Sequence, residues 1–481
     1  MYNKVNEKII RNIISIVGKE NVILEKETLE NYAHDETPLY YSMPDVVVKP
    51  VNTKQISELM KLANEELIPV TPRGGGTSLS AGAVPFYNGI VLSLERMNHI
   101  KEVDEENLMA IVEPGIITGI MEKELAQYNL FFPPDPVSLD SCTLGGNIAE
   151  CAGGPRAMKY GVTKNYITGL EIVLADGEII RLGGKLLKNV TGYDIIDMFI
   201  GSEGTLGIVT EAIIKTLTIP EFVVDLYIPF KTVSEASKFS IEVLRNGLAP
   251  TAIELMEGDV VRMVEKYLKR KVPYSEANGH TIVEIDGNDK EYIRKIWEKI
   301  GDIALKFNAL NVFVAETNQD QERIWEIRKK IGDSLKSQTK IIAREDLVVP
   351  RDKIPELIYQ LKECVKTFGC ELYAFGHLGD GNMHTDVGCT ENNKIAEDTE
   401  KINKMRCKMY EITIKLGGTI TAEHGVGLSK IPYLSLALDK RTIELMMRIK
   451  KEFDPRNILN PGKIFNQIQF NHLTNYHLTK L

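Results

Sequence analysis

The hydrophobic pattern of this chain changes near residue 220. Before that point, residues 5–33 carry Ile, Leu and Val at helical spacing, and Thr53 is predicted to cap a second amphipathic helix. Short apolar runs predict strands at 46–48, 68–71, 89–94, 110–113, 166–174 and 207–210. Gly and Pro are dense between these strands, so we expect an α+β region with many glycine-lined loops.

Strand and helix patterns alternate with short links after residue 221. Strands are predicted at 222–229, 252–256, 280–286, 311–315 and 371–376. Helices are predicted at 233–246, 260–269, 290–307 and 355–368, followed by a long polar helix and a Gly- and Pro-rich segment. This alternation favours a compact α/β or ferredoxin-like layer. Residues 466–481 show no clear pattern and fit either a peripheral helix or disorder.

Composition narrows the classes of function. The chain has 481 residues, 58 Lys and Arg against 67 Asp and Glu, and a net charge of -9, which argues against a nucleic-acid partner or polybasic membrane docking. No run of about 18 uncharged apolar residues is present, so no membrane-spanning helix is expected. The amphipathic start of the chain lacks the apolar core of a signal peptide.

The six cysteines form no C-x-x-C pair and no iron–sulfur ligand run. A reducing, cytoplasmic setting is therefore expected. If the protein handles electrons, it has no cluster of its own to pass them on.

A glycine loop, Arg73-Gly74-Gly75-Gly76-Thr77-Ser78, follows the strand at 68–71. Residues without Cβ allow the backbone to approach a pyrophosphate, and successive N–H groups can form an anion-binding nest. The loop fits neither G-x-G-x-x-G, since position 79 is Leu, nor a P-loop. Taken alone, it fits an ordinary glycine-rich turn equally well.

A Pro-Pro-Asp-Pro loop at 133–136 follows, with glycine-containing loops at 143–148, 153–161 and 201–207, so that all five loops fall within 135 residues. Such loops on short strands suggest backbone wrapped along an extended ligand. Together they resemble the FAD-binding domain of the vanillyl-alcohol-oxidase/PCMH flavoprotein superfamily, over residues 44–219. Many relatives bind the flavin covalently through a His in the first loop. Thr77 stands at that position here, so the resemblance implies non-covalent FAD.

The resemblance implies cofactor contacts from every one of these loops. The expected FAD-binding residues are Pro72, Arg73, Gly74, Gly75, Gly76, Thr77, Ser78, Pro134, Asp135, Ser138, Thr143, Gly145, Gly146, Asn147, Ala152, Gly153, Gly154, Gly161, Glu203, Gly204, Gly207 and Ile208.

The second strong signal is the run from His377 to His384, which contains Asp380-Gly381, a favoured pair for a tight hairpin turn. If these two residues form the turn, His377 lies directly opposite His384, with Cβ atoms about 4.5–5.5 Å apart. Two imidazoles at that separation can hold one metal ion, and Glu423 is the candidate third ligand. The alternative is a pair of solvent-facing or hydrogen-bonded histidines.

This half of the chain resembles FAD-linked D-2-hydroxy-acid dehydrogenases, the group of D-lactate dehydrogenase and the glycolate oxidase large subunit. The ending Asp454-Pro455-Arg456-Asn457 through Gly462-Lys463 is also typical of the group. The resemblance implies that His377, His384 and Glu423 bind one divalent metal ion (Zn, Mn or Fe). It also implies that His424 is the catalytic base and that Asn382 lies near the substrate.

A 2-hydroxy acid needs a cation for its carboxylate, and a guanidinium binds it best. Arg328 and Arg344 match basic positions near the family's substrate, although either could be a solvated helix or loop charge.

The implied reaction is oxidation of a D-2-hydroxy acid, D-lactate foremost, to the 2-oxo acid, with hydride transfer to flavin N5. Since no cluster motif is present, a separate acceptor is expected: an electron-transferring flavoprotein, as in electron-bifurcating complexes, an iron–sulfur subunit, a cytochrome or a quinone. The alternatives are a glycolate oxidase subunit, an alkylglycerone-phosphate-synthase-like flavoprotein, and an electron-carrying flavin subunit with a vestigial substrate site.

The expected organisation is α+β, with an FAD-binding PCMH-type domain at 1–220 and a ferredoxin-like α/β substrate (cap) domain at 221–410. A C-terminal segment at 411–466 is expected to return to the FAD domain, with a peripheral tail at 467–481.

Overall fold

The computed structural model describes residues 2–389 and 394–466, which form two compact units. Unit 1 comprises the described residues of Met1–Ala152, Val162–Ile219 and Glu423–Leu481. Unit 2 comprises those of Gly153–Gly161 and Pro220–Ala422. The second domain was predicted to end at residue 410, whereas unit 2 extends to Ala422. Residue 410 lies inside a helix, Thr399–Lys415, which belongs entirely to unit 2. The predicted tail at 467–481 lies outside the described residues.

Eighteen strands form the sheets of the described chain. In chain order they are β1 Val22–Ile23, β2 Val46–Val48, β3 Val70–Arg73, β4 Ile90–Ser93, β5 Ile100–Asp104, β6 Met109–Val112, β7 Leu130–Phe131, β8 Ile167–Val173, β9 Ile179–Gly183, β10 Ile208–Lys215, β11 Leu217–Thr218, β12 Phe222–Phe230, β13 Ala252–Glu257, β14 Gly279–Gly287, β15 Phe313–Ala315, β16 Lys340–Val348, β17 Glu371–His377 and β18 Asn382–Cys389.

The α-helices, in chain order, are α1 Glu7–Val17, α2 Lys26–Leu29, α3 Thr53–Glu66, α4 Thr118–Leu125, α5 Leu144–Glu150, α6 Ala157–Tyr160, α7 Ile196–Phe199, α8 Val233–Arg245, α9 Gly258–Leu268, α10 Lys290–Lys306, α11 Asn318–Lys329, α12 Ile331–Gln338, α13 Ile354–Lys366, α14 Thr399–Lys415, α15 Leu434–Ala437 and α16 Lys440–Phe453. Short 3-10 helices lie at Lys19–Asn21, Glu30–Tyr32, Ala126–Tyr128, Thr163–Tyr166, Arg351–Lys353, Lys394–Glu397 and Ile431–Tyr433. No helix among the described residues has the length and apolar character needed to cross a membrane.

Unit 1 contains a four-stranded sheet of order β1-β2-β4-β3 and a five-stranded antiparallel sheet of order β5-β6-β10-β8-β9. Strands β2, β4 and β3 are parallel, and α1 and α3 pack against them through one buried apolar cluster. The side chain of Asn52, rather than the expected Thr53, caps α3 by accepting the N–H of Gln55. Asn fits because its short side chain reaches back to the first turn.

The C-terminal segment of unit 1 attaches to the edge of β3. The N–H of Val70 donates to the carbonyl of Ile458, and the N–H of Asn460 donates to the carbonyl of Val70. Ile458 and Leu459 are fully buried in the same apolar cluster as α1 and α3. Residues 458–460 therefore fix the strand that leads into the first glycine loop.

Unit 2 is built on a seven-stranded antiparallel sheet of order β15-β12-β14-β13-β17-β18-β16. The predicted alternation of strands and helices between residues 222 and 315 is present as β12-α8-β13-α9-β14-α10-β15. Strand β16 was not predicted, because Arg344-Glu345-Asp346 interrupts its apolar pattern. The predicted mixture of helices and sheets is confirmed.

Side chains alternate between the two faces of this sheet, and cross-strand partners share a face. One face carries Leu226, Ile228 and Phe230, and Phe230 contacts Phe239 of α8. Glu345 lies on this apolar face without exposure to solvent, and Arg406 of α14 donates to its Oε1 at 2.5 Å. Tyr410 also donates to Glu345, so the buried carboxylate has two partners from one helix.

Breaking this buried pair should destabilise unit 2. Arg406→Ala leaves Glu345 as a buried charge with one partner fewer, so we expect a loss of about 3–5 kcal/mol in the free energy of unfolding. Lys404→Ala, at an exposed site on the same helix, should cost less than about 0.5 kcal/mol. Urea denaturation of the full-length protein, followed by circular dichroism, measures the change in the free energy of unfolding for both variants. Equal effects would contradict the assignment of Arg406 as a buried partner.

Candidate active site

The first glycine loop begins where β3 ends and is half-exposed over most of its length. Within the described chain, the N–H groups of residues 74–79 donate no hydrogen bond to another residue. A Cβ on Gly74 would lie 2.2 Å from Oγ1 of Thr143, and one on Gly75 would lie 2.2 Å from the carbonyl oxygen of Ser141. The first loop therefore packs tightly on the loop that contains residues 138–146 and keeps its own N–H groups available.

The loop at 201–207 packs on the end of β3. A Cβ on Gly204, whose φ is +65°, would lie 2.8 Å from Cγ of Pro72. Thr143 caps α5 by accepting the N–H of Gly146 at 3.3 Å. The loops at 138–146 and 201–207 thus lie against the first loop and the end of β3, respectively, within unit 1.

Several of the predicted FAD-binding side chains already have protein partners. Arg73 is buried and donates to the backbone carbonyls of His34 and Asn31 at 2.8 and 3.2 Å. Asn147 donates to Oγ1 of Thr118 at 2.8 Å. Protein partners thus use some of the donors of these two side chains. Pro134 is buried, and Asp135, Ser138, Ala152 and Thr77 are half-buried; Ile208 is buried, and Gly145 and Gly207 lie where chain packing is close.

Gly153, Gly154 and Gly161 belong to unit 2, in the short segment that contains α6. Arg156 of this segment donates to Glu284 of β14 at 3.0 Å, and Lys159 and Tyr160 both donate to Asp286. These bonds fasten the segment to the sheet of unit 2. Sequence reasoning grouped these glycines with the other flavin loops and did not foresee this attachment.

Glu203 has a role that the sequence did not reveal. Its two carboxylate oxygens accept the N–H groups of Val426 at 2.7 Å and Gly427 at 2.6 Å. Burial raises the pKa of Glu203, although these two hydrogen bonds oppose the rise. A Cβ on Gly425, whose φ is +75°, would lie 2.2 Å from Oε2 of Glu150 and 2.8 Å from Oε1 of Glu203. The loop directly after Glu423 and His424 is therefore held closely and requires glycine at 425.

The predicted register of the histidine hairpin is wrong. His377 pairs with Asn382, and His384 pairs with Phe375, because the turn spans four residues, 378–381, instead of two. Register errors of two residues preserve the face on which a side chain lies. His377 and His384 are consequently still neighbours, with ring centroids 5.2 Å apart in an edge-to-face arrangement.

His377 lies beside a buried ion pair. Its Nδ1 is 2.5 Å from Oε1 of Glu254, and Arg328 donates from Nε to Oε2 of the same carboxylate at 2.7 Å. Burial alone would raise the pKa of Glu254, but the adjacent His377 and Arg328 outweigh it and hold that pKa below its ordinary value. Arg328 is therefore a buried structural cation as well as a candidate for carboxylate binding. Among the described residues, its Nη2 is buried without a hydrogen-bond partner.

Asp346 of β16, which sequence reasoning missed, contacts three parts of the site. It is fully buried, and Nδ1 of His384 lies 3.8 Å from its Oδ1. Asn382 donates to Oδ1 at 2.7 Å, while Thr421 Oγ1 and the N–H of Ala422 donate to Oδ2 at 2.9 and 2.8 Å. Asn382, predicted to bind substrate, thus has its amide directed at Asp346.

Arg344 and Asp386 form the next cross-strand pair on the same face, with Nε 3.6 Å from Oδ2. Burial raises the pKa of Asp386 to about 6, although Arg344 opposes the rise. The missed members of this face are Glu254, Asp346 and Asp386. Only Glu254 lies within a run that otherwise reads as a buried strand, a placement that requires a partner.

The donor atoms of Asp346 and His384 suit a divalent metal, since a buried carboxylate beside an imidazole is a common ligand pair. Their ligand atoms lie within 4.8 Å of each other. Glu423 and His424 begin the last segment of unit 1, with a carboxylate oxygen and Nε2 3.9 Å apart. They follow Ala422, which is bonded to Asp346, directly in the chain.

Two family models match the chain: "FAD binding domain" over residues 44–183 and "FAD linked oxidases, C-terminal domain" over residues 219–464. The chain belongs to the FAD-linked oxidases and is a flavoprotein oxidoreductase, which confirms the resemblance drawn from the glycine loops and the histidine motif. The FAD fits the first loop, whose consecutive N–H groups lack protein partners and whose glycines leave no side chain in the way.

Proteins of known name match over nearly the full length. The chain is 40% identical over 461 residues to the glycolate oxidase subunit GlcD of Bacillus subtilis, covering 96% of this chain and 97% of that protein. It is 35% identical over 469 residues to a D-lactate dehydrogenase of Anaerostipes hadrus, covering 96% and 98%. It is 39% identical over 442 residues to a D-lactate dehydrogenase of Archaeoglobus fulgidus, covering 91% and 96%.

Solved structures share the fold. p-Cresol methylhydroxylase aligns with a TM-score of 0.78 at 17% identity, over 97% of this chain and 99% of that one. An alkyldihydroxyacetonephosphate synthase aligns with a TM-score of 0.76 at 21% identity, over 96% and 86%. These likenesses confirm the predicted PCMH-type fold class.

Asp225, on the charged face of β12, should make stability depend on pH. Burial and the nearby Glu284 raise the pKa of Asp225 from its ordinary 3.8 to about 8. The folded state then holds a proton that the unfolded state loses, so this group's contribution to stability falls as pH rises from about 4 to about 8. Asp225→Asn removes the titration, and the variant should gain stability relative to the parent protein as pH rises. Thermal unfolding midpoints across this pH range measure the difference, and a constant difference would contradict the expectation.

Proposed function

We propose that this protein oxidises a D-2-hydroxy acid, D-lactate foremost, to the corresponding 2-oxo acid with non-covalently bound FAD. The observation that carries the proposal is the charged face of the unit 2 sheet, where Arg344 and two histidines lie on adjacent strands and Arg328 of α11 donates to Glu254 of β13. The names of the relatives, D-lactate dehydrogenase and glycolate oxidase subunit, support the same class of substrate.

In this proposal, the guanidinium groups of Arg328 and Arg344 bind the substrate carboxylate. Arg328 is positioned by Glu254, and its buried Nη2 supplies a donor for a carboxylate oxygen. Arg344 is half-buried beside Asp386, which limits its movement.

His424 accepts the proton of the substrate hydroxyl in this proposal, since a neutral imidazole nitrogen can act as a general base. His377, His384 and Glu423 remain the proposed ligands of one divalent metal ion (Zn, Mn or Fe). Such an ion would supply Lewis acidity toward the hydroxyl and carboxylate oxygens. Bound FAD would accept the hydride from the substrate's α-carbon.

The reduced flavin requires a separate electron acceptor. All cysteines of the described chain are free thiols, and its sequence has no iron–sulfur ligand run. An electron-transferring flavoprotein, an iron–sulfur subunit, a cytochrome or a quinone could receive the electrons, and the first of these would make this chain the dehydrogenase of an electron-bifurcating complex.

A second candidate, a glycolate oxidase subunit, is favoured by the 40% identity to the Bacillus subtilis protein of that name. The two candidates differ only in whether the substrate carries a methyl group or a hydrogen at the α-carbon. An alkyl-transfer flavoprotein is supported by fold alone.

Anaerobic titration with D- and L-lactate, glycolate and D-2-hydroxyglutarate tests the proposal. D-lactate is expected to bleach the visible absorption of the flavin, while L-lactate leaves it unchanged. Preferential bleaching by glycolate would select the second candidate. If none of the four acids reduces the flavin, the proposed function is wrong.

His424→Ala should lower kcat by about 10²- to 10⁴-fold, because it removes the proposed base. FAD released by acid precipitation should equal that of the parent protein, since His424 is not among the predicted flavin contacts. His99→Ala, at an exposed position of unit 1, is the control and should keep full activity. Near-normal turnover of the His424 variant would rule out its role as base.

A further inference from the structure

Two different buried carboxylates accept hydrogen bonds from the chain just before and just after Glu423 and His424. We propose that Asp346 and Glu203 are positioning residues, which fix Glu423 and His424 by binding the backbone immediately before and after them. This inference rests on the proposed function for the roles of Glu423 and His424. It does not depend on which 2-hydroxy acid is the substrate.

The first anchor is Asp346, which belongs to unit 2. Its Oδ2 accepts the N–H of Ala422 at 2.8 Å and the hydroxyl of Thr421 at 2.9 Å. The N–H of Thr419 also donates to the carbonyl of Val348 at 3.0 Å, so residues 419–422 run antiparallel beside the end of β16. Because Asp346 is fully buried, losing these donors would leave a desolvated charge, which is strongly unfavourable.

The second anchor is Glu203, which belongs to unit 1. It accepts the N–H groups of Val426 and Gly427 with separate oxygens, so a single side chain fixes two consecutive peptide units. Lys430 donates from Nζ to the carbonyl of Gly425 at 3.2 Å and adds a third bond at this end. Glu203 is 6% exposed, so water does not readily replace these bonds.

Only residues 423–425 lie between the two anchored stretches. A three-residue stretch spans at most about 10–11 Å. Glu423 directly follows the residue bonded to Asp346, and His424 lies two residues before the one bonded to Glu203. Gly425 adopts a positive φ and has no space for a side chain, which restricts the stretch further. Anchors of this kind matter because catalytic groups must be held to within about 0.5 Å.

The same Asp346 oxygens connect this stretch with the histidine hairpin. Asn382 donates to Oδ1, and His384 lies beside the same atom. One carboxylate therefore lies beside a proposed metal ligand on β18 and binds the backbone that leads to Glu423. Strand β16, the hairpin and residues 419–422 are distant from one another in the sequence. The carboxylate of Asp346 on β16 is hydrogen-bonded to both of the other two segments.

The test uses the full-length, FAD-loaded protein with Asp346→Asn and Glu203→Gln. Each substitution keeps the shape but replaces one acceptor oxygen with an NH₂ group that faces an N–H donor. Without added metal, amide hydrogen exchange in peptides covering 419–427 should become faster in both variants. Affinity for Mn²⁺, measured by electron paramagnetic resonance, should fall by about 10- to 100-fold. With D-lactate, kcat should fall while KM changes little, because the carboxylate-binding arginines are untouched.

Matched controls are Asp225→Asn and Glu171→Gln, the same substitutions at buried acids of units 2 and 1 that do not contact residues 419–427. Both should retain the exchange rates and Mn²⁺ affinity of the parent protein. Thr421→Val removes only the hydroxyl donor to Asp346 and should give a smaller effect in the same direction. If Asp346→Asn fails to fold, Thr421→Val still tests whether Asp346 fixes residues 421–422.

Unchanged exchange in 419–427 in both the Glu203 and the Asp346 or Thr421 variants would overturn the proposal. So would loss of FAD from Glu203→Gln with normal exchange, since that result would make Glu203 a flavin contact. Loss of Mn²⁺ binding from Asp346→Asn with unchanged exchange would make Asp346 a ligand and likewise overturn its positioning role. If no 2-hydroxy acid reduces the flavin but exchange accelerates as expected, the proposed function fails and the anchors stand.

Discussion

The alternation of side chains across the seven-stranded sheet of unit 2 is the constraint on which its chemistry depends. One face is apolar and packs on α8, α10, α13 and α14, which supplies the burial that stabilises the unit. The opposite face packs in part on α9, α11 and α12 and carries acids, Arg344 and two histidines in register on β13, β17, β18 and β16. Rigid strands hold these groups more accurately than loops would.

Burial of charge is the second constraint, and it explains why the acids of this face occur in bonded groups. Glu254 lies between His377 and Arg328, and Asp346 accepts hydrogen bonds from two parts of the chain, Asn382 and residues 421–422. A buried carboxylate without donors costs several kcal/mol, so each of these acids fixes the positions of its partners. The specificity of the arrangement arises from this requirement rather than from the strength of any one pair.

Local signals in the sequence predicted the fold class, most strands and the flavin loops, because glycine density and period-two alternation are properties of short segments. The face shared by His377 and His384 was predictable for the same reason, whereas their register depended on a turn whose length the Asp380-Gly381 pair does not determine. Asp346 and Glu254 were missed because the partners that make them informative, Ala422 and Arg328, are distant in sequence. The attachment of residues 153–161 to unit 2 likewise depends on pairs such as Arg156 and Glu284.

The interleaving of the two units has a consequence for the order in which the chain can fold during synthesis. Unit 2 needs residues 153–161, already made, and is complete once Ala422 has left the ribosome. Unit 1 contains the N-terminal residues, but two of its contacts need the end of the chain. Glu203 lacks its donors until residues 426–427 are made, and the edge of β3 lacks its partners until residues 458–460 are made. The usual sequence, in which the N-terminal domain folds first, is therefore reversed: the inserted unit can finish first, and the flavin-binding unit closes last.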